Sequence, residues 1–451
     1  MLRLFHIYLA AGTLAASLAL ATPLPAQERG EAPSGLKLDG LESYLTRAQS
    51  ANPQLEAFRQ RYEAAMQRIP QTSALPDPML QITSFVESVQ TRTGPQENVL
   101  MLSQKIPWFG KLSSREEVAS AEAEALWFAY QNQQLMLARR VSLAFYEYAY
   151  LKDAIRLTRE NLKLLEGLEP IVEEKVRSGA DLNALLRLKV EIGRVDDQAQ
   201  SLEQKRIAQS ARLAELLALP TDALLPFPEW SQPEVVSPDG PSMIRAMEAN
   251  HPELKMLERK VESAAARREI ARLESYPDIT LGINYIQVGD PEVMRNTPDA
   301  GRDPWGVTVA VNLPIWFGKN NAAKAEALAT QRAHENERGN RLNQLRAELS
   351  ASFARLKDAN RQLALYGEEL LGLAEQAVEN SRSAYEGGRT GILEVIDSER
   401  SLLDLQLLYR RAAADAWQQR IVIQTLAGQP LLENFDATDT SEPQKAQKTQ
   451  N

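Results

Sequence analysis

QKIPWFGK at residues 104–111 and NLPIWFGK at residues 312–319 are one passage written twice. Each stands where a strand-like run gives way to a very long helical pattern. Upstream, ALPDPML (residues 74–80) is matched by SYPDITL (residues 275–281). Downstream, a turn at Ser178-Gly179 is matched by Gly387-Gly388, and Lys111 to Gly179 and Lys319 to Gly388 are nearly equal intervals. Self-similarity at this scale marks a duplicated architecture and governs every other assignment.

The duplication divides the chain. A first structural repeat runs over residues 36–225, a Pro-rich linker over 226–241 (PFPEWSQPEVVSPDGP) and a second repeat over 242–430. The tail, 431–451, is polar and too poor in apolar residues to fold. Each repeat opens with a helix, expected at Leu41 to Ile69 and Met243 to Glu274. Two strands follow, clearest in the second copy. Ile279, Leu281, Ile283 and Tyr285 alternate with Thr280, Gly282 and Asn284. Trp305, Val307, Val309, Val311 and Leu313 alternate with small or polar residues, which is the period-two pattern of a strand with one apolar face. Met79 to Val89 and Val99 to Ile106 are the first-copy counterparts. Thr91 to Glu97 and Gly289 to Asp303 are expected as surface loops.

The long helices are the second architectural signal. Leu137, Val141, Ala144, Tyr148, Leu151, Ile155, Thr158, Leu162, Leu165, Glu169, Val172 and Val176 recur at alternating steps of four and three, a heptad seam. A helix from Lys111 to Arg177 would be roughly 100 Å long, and Pro170 is expected to bend or interrupt it. Lys319 to Glu386 matches it without a proline. Both reverse at glycine-containing turns into further helices, Asp181 to Leu219 and Ile392 to Leu426. Elements of this length call for a coiled-coil bundle or a tube.

Composition sets the address. The 451 residues are 44% hydrophobic and 25% charged, with a net charge of -9 and no cysteine. The negative balance, with no basic patch, argues against nucleic acid as a partner. The missing cysteine removes disulfides, thiolate metal sites and a lipidation site. Residues 1–26 have the form of a signal peptide: Arg3, an apolar run from Ile7 to Ala21, and small residues at Ala21 and Ala26. The apolar run is shorter than the ~20 residues of a spanning anchor, which is the other reading of this segment.

The strands suit either the half-buried sheet of a soluble domain or a membrane barrel. Their length fits a tilted span of about 9–11 residues, and Trp108, Phe109, Trp316 and Phe317 lie at their ends as interface anchors would. Four strands cannot close a barrel, whose smallest membrane form has about eight. An open edge in lipid leaves backbone groups unpaired. Several chains must then share one barrel, and cyclic symmetry closes it.

With these features in place, the chain resembles the TolC family of outer-membrane efflux factors over essentially its whole mature length. The resemblance rests on the duplicated strand, strand, long-helix plan, the PWFGK and PIWFGK junctions, and YEGGRTGILEVIDSERSLLD at residues 385–404. It implies a mainly α fold with a membrane β part. That fold is a homotrimer with one twelve-stranded β-barrel continuous with a periplasmic α-helical barrel. It also implies a passive exit duct in the outer membrane, served by a periplasmic adaptor (membrane fusion) protein and an inner-membrane transporter. The PWFGK-type junction is similar to the heavy-metal-efflux branch, which implies metal cations as cargo.

By the same resemblance, Glu394 and Asp397 match an acidic pair ringing the periplasmic entrance. Tyr385 matches a gate tyrosine. Arg389 stands one place out of register with a gate arginine, Thr390 holding the matching site. Gly179, Gly387 and Gly388 form the turns and the tips where an adaptor would dock, glycine tolerating positive φ. Leu185 and Leu188 occupy the places of the acidic pair in the first copy. Ser113 and Glu116 have the spacing of a capping box.

Enzymatic readings find no support. The only histidines are His6, His251 and His334, and no HExxH, GxSxG, phosphate-binding or dinucleotide motif occurs. No catalytic residue, metal site or cofactor is expected. The competing reading is a periplasmic coiled-coil adaptor or scaffold without a pore. Such a protein normally carries one helical hairpin between β-rich domains, whereas two hairpins occur here.

Overall fold

Both halves of the chain follow one plan of opening helices, two strands and a long helical hairpin, differing in a short third helix in the first and a π-helical segment in the second. The first copy consists of α1 (Leu41–Ala51), α2 (Pro53–Met66), α3 (Arg68–Ser73), β1 (Met79–Thr91), β2 (Gly94–Ile106), α4 (Lys111–Arg177) and α5 (Leu182–Leu216). The second consists of α6 (Gly240–Asn250), α7 (Pro252–Leu273), β3 (Ile279–Val288), β4 (Trp305–Val311), α8 (Phe317–Ala364), a π-helical segment (Leu365–Leu370), α9 (Leu371–Glu386) and α10 (Ile392–Leu426). The structure, a computed structural model, describes Leu38 and residues 40–222, 224–234, 239–290 and 298–431. The leader at 1–26 and the tail beyond Leu431 lie outside the described residues.

The opening helices are divided, not continuous as expected. Asn52 and His251 each precede a proline, which pushes them to extended backbone (ψ 116 and 119) and ends the helix before them. Each then caps the next helix. Asn52 Oδ1 accepts from the N–H groups of Gln54 and Leu55 at 3.0 and 3.2 Å, and His251 Nδ1 accepts from that of Glu253 at 3.2 Å.

The four strands form one sheet in the order β1-β2-β3-β4, all antiparallel. The expected loop at Thr91 to Glu97 is a tight turn, since Thr91 already pairs with Gly94. Register stacks apolar residues into rows: Leu80, Leu102, Ile283 and Val307 lie in one row and Ile82, Leu100, Tyr285 and Trp305 in the next. All eight are exposed. Among the described residues the β1 and β4 edges have no partner strand.

The α4 seam is buried from Leu137 to Leu165, apart from the half-buried Leu162. Its counterpart on α8 is Leu345, Leu349, Ser352, Leu356, Ala359 and Leu363, also buried. Each lies as far beyond Lys319 as Leu137, Val141, Ala144, Tyr148, Leu151 and Ile155 lie beyond Lys111. Further on the count slips by one. Lys111 to Gly179 is a step of 68 (179 minus 111), and Lys319 to Gly388 one of 69 (388 minus 319). The π-helical segment Leu365–Leu370 sits inside the longer interval, and a π turn accommodates one extra residue. Beyond it Ala374 and Val378 resume the buried seam.

Pro170 does not interrupt α4, which continues to Arg177. The proline is exposed, and Lys189 of α5 holds the flanking turns through Glu169 at 2.7 Å and Glu173 at 3.3 Å. No helix among the described residues is long and apolar enough to cross a membrane.

Helices α5 and α10 end alike. Leu219 N–H bonds Ala214 O at 2.8 Å and Ala218 N–H bonds Glu215 O at 3.2 Å, with Gln429 to Gln424 and Gly428 to Thr425 as the second-copy pair. The left-handed residue is Gly428 (φ 71) in one copy and Ala218 (φ 52) in the other. A left-handed alanine costs about 1–2 kcal/mol, and glycine's extra unfolded-state freedom offsets about 0.4–1 of that. Ala218→Gly is therefore expected to stabilise the protein by about 0.5–1 kcal/mol in denaturant melts. A loss of stability would refute the strain.

Candidate functional site

Two places concentrate chemistry: the strand-to-helix junction and the tips of the hairpins. At the first junction Gly110 adopts φ 86 and caps α4. The expected capping box is not formed, because Ser113 lies inside the helix and its hydroxyl donates to Gly110 O at 3.1 Å. Lys111, the first helical residue, is only 1% exposed. Its ammonium donates to Asp278 Oδ1 at 2.8 Å and Tyr276 O at 3.2 Å, and stands 3.6 Å from Glu274. Asp278 also accepts from the Trp108 N–H at 3.0 Å and pairs with Lys105 at 3.1 Å, while its own N–H donates to Asn312. Burial alone would raise the Asp278 carboxyl, but these donors outweigh it and hold it at about 2. The pair ties the first copy to the second.

The four aromatic residues proposed as interface anchors divide here. Phe109, Trp316 and Phe317 are widely exposed, at 82%, 71% and 73%. Trp108 is half-buried and stacks on Tyr276, with ring centroids 5.5 Å apart. The second junction also departs from the first, because α8 starts at Phe317, ahead of the expected Lys319, and Lys319 is exposed.

The tips repeat one helix-ending motif. Ala180 N–H bonds Lys175 O and Gly179 N–H bonds Val176 O, both at 3.0 Å, and Arg389 and Gly388 make the same bonds to Ala384 and Tyr385 at 2.8 and 3.1 Å. This is the Schellman pattern, whose left-handed residue favours glycine. Gly179 (φ 102) and Gly388 (φ 68) fill that position. Gly387 does not, since its φ of -74 is available to any residue, and Ser178 stands there in the first copy. Arg389 contributes its backbone N–H to the motif, and its side chain is exposed.

Tyr385 is buried in an apolar cluster with Leu165, Val172, Leu188, Ile392, Val395 and Ile396, drawn from both hairpins. Lys175 crosses from the first hairpin, placing its ammonium 3.6 Å from the Tyr385 ring centroid and donating to Tyr385 O at 3.2 Å. Burial raises the Tyr385 hydroxyl above the usual phenol range. Helix α10 turns Ile392, Val395 and Ile396 into this cluster and leaves Glu394 and Asp397 exposed. The acidic pair and the tyrosine are thus on different faces. The second turn takes one more residue to reach its helix, Gly388 to Ile392 against Gly179 to Leu182. Counted from helix starts, Ala184 and Arg187 stand opposite the acids, not Leu185 and Leu188.

Sequence reasoning missed the charges beneath the acidic pair. Glu191 of α5 is buried and accepts from Arg194 and Arg400, the latter bridging from α10 with Nη2 at 2.5 Å. Burial would raise the Glu191 carboxyl, yet the two guanidinium groups lower it to about 2. Arg382 of α9 likewise donates to the buried Glu399 of α10. Arg400 lies 3.8 Å from Asp397, but its hydrogen bonds are committed to Glu191. Among the described residues no group of three or more His, Asp or Glu side chains is placed to hold a metal ion.

An antiparallel four-stranded sheet joined end-on to two paired helical hairpins is the arrangement that the TolC-family resemblance implies for one chain. Residues 243–429, the second copy, match the outer membrane efflux protein family. The chain is similar to the cobalt-zinc-cadmium resistance protein CzcC of Cupriavidus metallidurans, with 22% identity over 86% of this chain and 90% of that one. It is also similar to the pyoverdine export outer membrane protein OpmQ of Pseudomonas putida, with 25% identity over 71% and 67%. The solved structure of CusC, at 17% identity, covers 91% of this chain and 98% of its own with a TM-score of 0.74.

Proposed function

We propose that the protein is the passive outer-membrane exit duct of a tripartite efflux system. Three copies close one twelve-stranded barrel, and their paired hairpins form a helical tunnel reaching into the periplasm. An inner-membrane transporter loads the duct through a periplasmic adaptor docked at the tips around Gly179, Gly387 and Gly388. The carrying observation is the pair of exposed apolar rows across the sheet, Leu80–Leu102–Ile283–Val307 and Ile82–Leu100–Tyr285–Trp305. Apolar rows facing outward suit lipid, and a sheet in lipid must close its edges. A soluble scaffold has no use for them. Phe109 and Phe317 suit the lipid boundary at the periplasmic end of the barrel.

No bond chemistry is involved, and selectivity belongs to the pore lining. Glu394 and Asp397 in three copies place six carboxylates around the tunnel entrance, which attract cations and retard anions. Metal cations are the cargo class we favour, supported by this acidity and by the similarity to a cobalt-zinc-cadmium resistance protein along most of both chains. Reconstituted in planar bilayers, the full chain is expected to give discrete conductance steps, and Glu394→Ala with Asp397→Ala to lower the cation-to-anion permeability ratio severalfold. Absence of conductance would overturn the duct; unchanged selectivity would remove the two acids from the entrance.

A further inference from the structure

The seam between the two copies inside one chain is built from residues whose counterparts stand at the free edges of the sheet. Along the internal seam β2 pairs with β3, Leu102 facing Ile283 and Gln104 facing Leu281. Its base is locked by Lys111 on Asp278 and by Trp108 stacked on Tyr276. Every partner in this lock has a counterpart in the other copy. Lys319 matches Lys111 and Trp316 matches Trp108. ALPDPML and SYPDITL make Asp77 the counterpart of Asp278 and Leu75 that of Tyr276. Among the described residues these four counterparts are unused: Lys319 and Asp77 are exposed, as are Trp316 and Leu75. They lie at the bases of the two unpaired edge strands, β4 and β1.

We propose that β4 of one chain pairs with β1 of the next in the register of the internal seam, locked by Lys319 on the neighbour's Asp77. Trp316 then covers the neighbour's Leu75. The register follows from the hairpins. Leu80 faces Leu102 in the first and Leu281 faces Val309 in the second, so Leu102 corresponds to Val309, as Ile82 does to Ile283. The internal pair Leu102–Ile283 becomes Val309–Ile82 across chains, and Gln104–Leu281 becomes Val311–Leu80. β1 runs parallel to β3 in this sheet, so the new pair is antiparallel like the others. The lock is lighter than the internal one, since Asn312 stands where Lys105 supplies a second cation.

The inference rests on the trimeric duct reading, and one experiment separates the two. The chain has no cysteine, so Ile82→Cys with Val309→Cys in the full-length protein reports register directly, against Ile82→Cys with Val311→Cys as the displaced control. Oxidation in membranes is expected to cross-link the first pair at least tenfold more than the second. Lys319→Glu and Asp77→Lys are each expected to reduce heat-resistant trimer, and their combination to restore it. Preferential cross-linking of the displaced pair, or a charge swap that fails to restore trimer, overturns the seam and leaves the trimer standing. A chain that remains monomeric on native sizing overturns both.

Discussion

Asp278→Ala is expected to lower stability by about 3–5 kcal/mol, the range for removing one partner of a buried ion pair. Lys111 keeps its ammonium inside, with only the Tyr276 carbonyl and the more distant Glu274 to receive it, and the Trp108 N–H loses its acceptor. The loss should fall on the interface between the copies, because Asp278 immediately precedes β3 whereas Lys111 opens α4. Lys111→Met combined with Asp278→Ala is expected to recover much of the loss, since the stranded charge is gone. Denaturant melts of the detergent-solubilised protein measure both, and a single-variant loss under about 1 kcal/mol would contradict the lock. Acid leaves the pair intact over a wide range. The Asp278 carboxyl is depressed to about 2, so its contribution is complete above the unfolded value near ~3.9 and disappears only as pH falls through 2.

The second large effect is acid sensitivity at His251. Burial is the main cause that lowers this imidazole to about 4. Glu253 and Glu348 oppose the shift, and Arg341 and Arg139 add to it. A folded-state value below the unfolded ~6.5 means that the unfolded chain takes up the proton first. Stability from this group is complete above about 6.5, falls with pH, and levels off below 4, where the folded form is protonated as well. Between pH 7 and pH 5 the loss should be about 2 kcal/mol. His251→Asn retains an acceptor for the Glu253 N–H, as Asn52 does at the same place in the first copy, and removes the titration. A smaller drop in melting temperature between pH 7 and pH 5 is expected for the variant. Equal drops would show that other groups set the acid limit.

Most of the architecture was legible because it is periodic. Strand alternation, the heptad seam and the turns at Gly179 and Gly388 are local patterns, and α4 and α10 begin and end at the expected residues. Departures came where one local rule competes with another. Asn52-Pro53 and His251-Pro252 divide helices whose apolar periodicity runs through the break, whereas α4 runs on through Pro170 to Arg177. The Lys111–Asp278 lock joins residues 167 apart, beyond any local pattern. A signal for it existed nonetheless, in the recurrence of Pro-Asp before, and Gly-Lys after, the strands of both copies. At the tips the glycines and exposed acids could be read from the chain. The burial of Glu191 and Glu399 could not, because Arg400 and Arg382 reach them from other helices, and only Arg194 is a local partner.

The π-helical segment between α8 and α9 has a consequence for how this chain could change over time. One extra residue in an α-helix rotates everything after it by about 100°, which would carry Tyr385 out of the tip cluster and displace the seam. The π turn absorbs that rotation locally, so both ends of the second hairpin keep their facing although its length differs from the first. The orientation of the tip is therefore fixed by its two anchorages, and residue count between them is free to drift. The two halves can diverge in length, as a vernier slides along its scale, while the tube they build stays in phase.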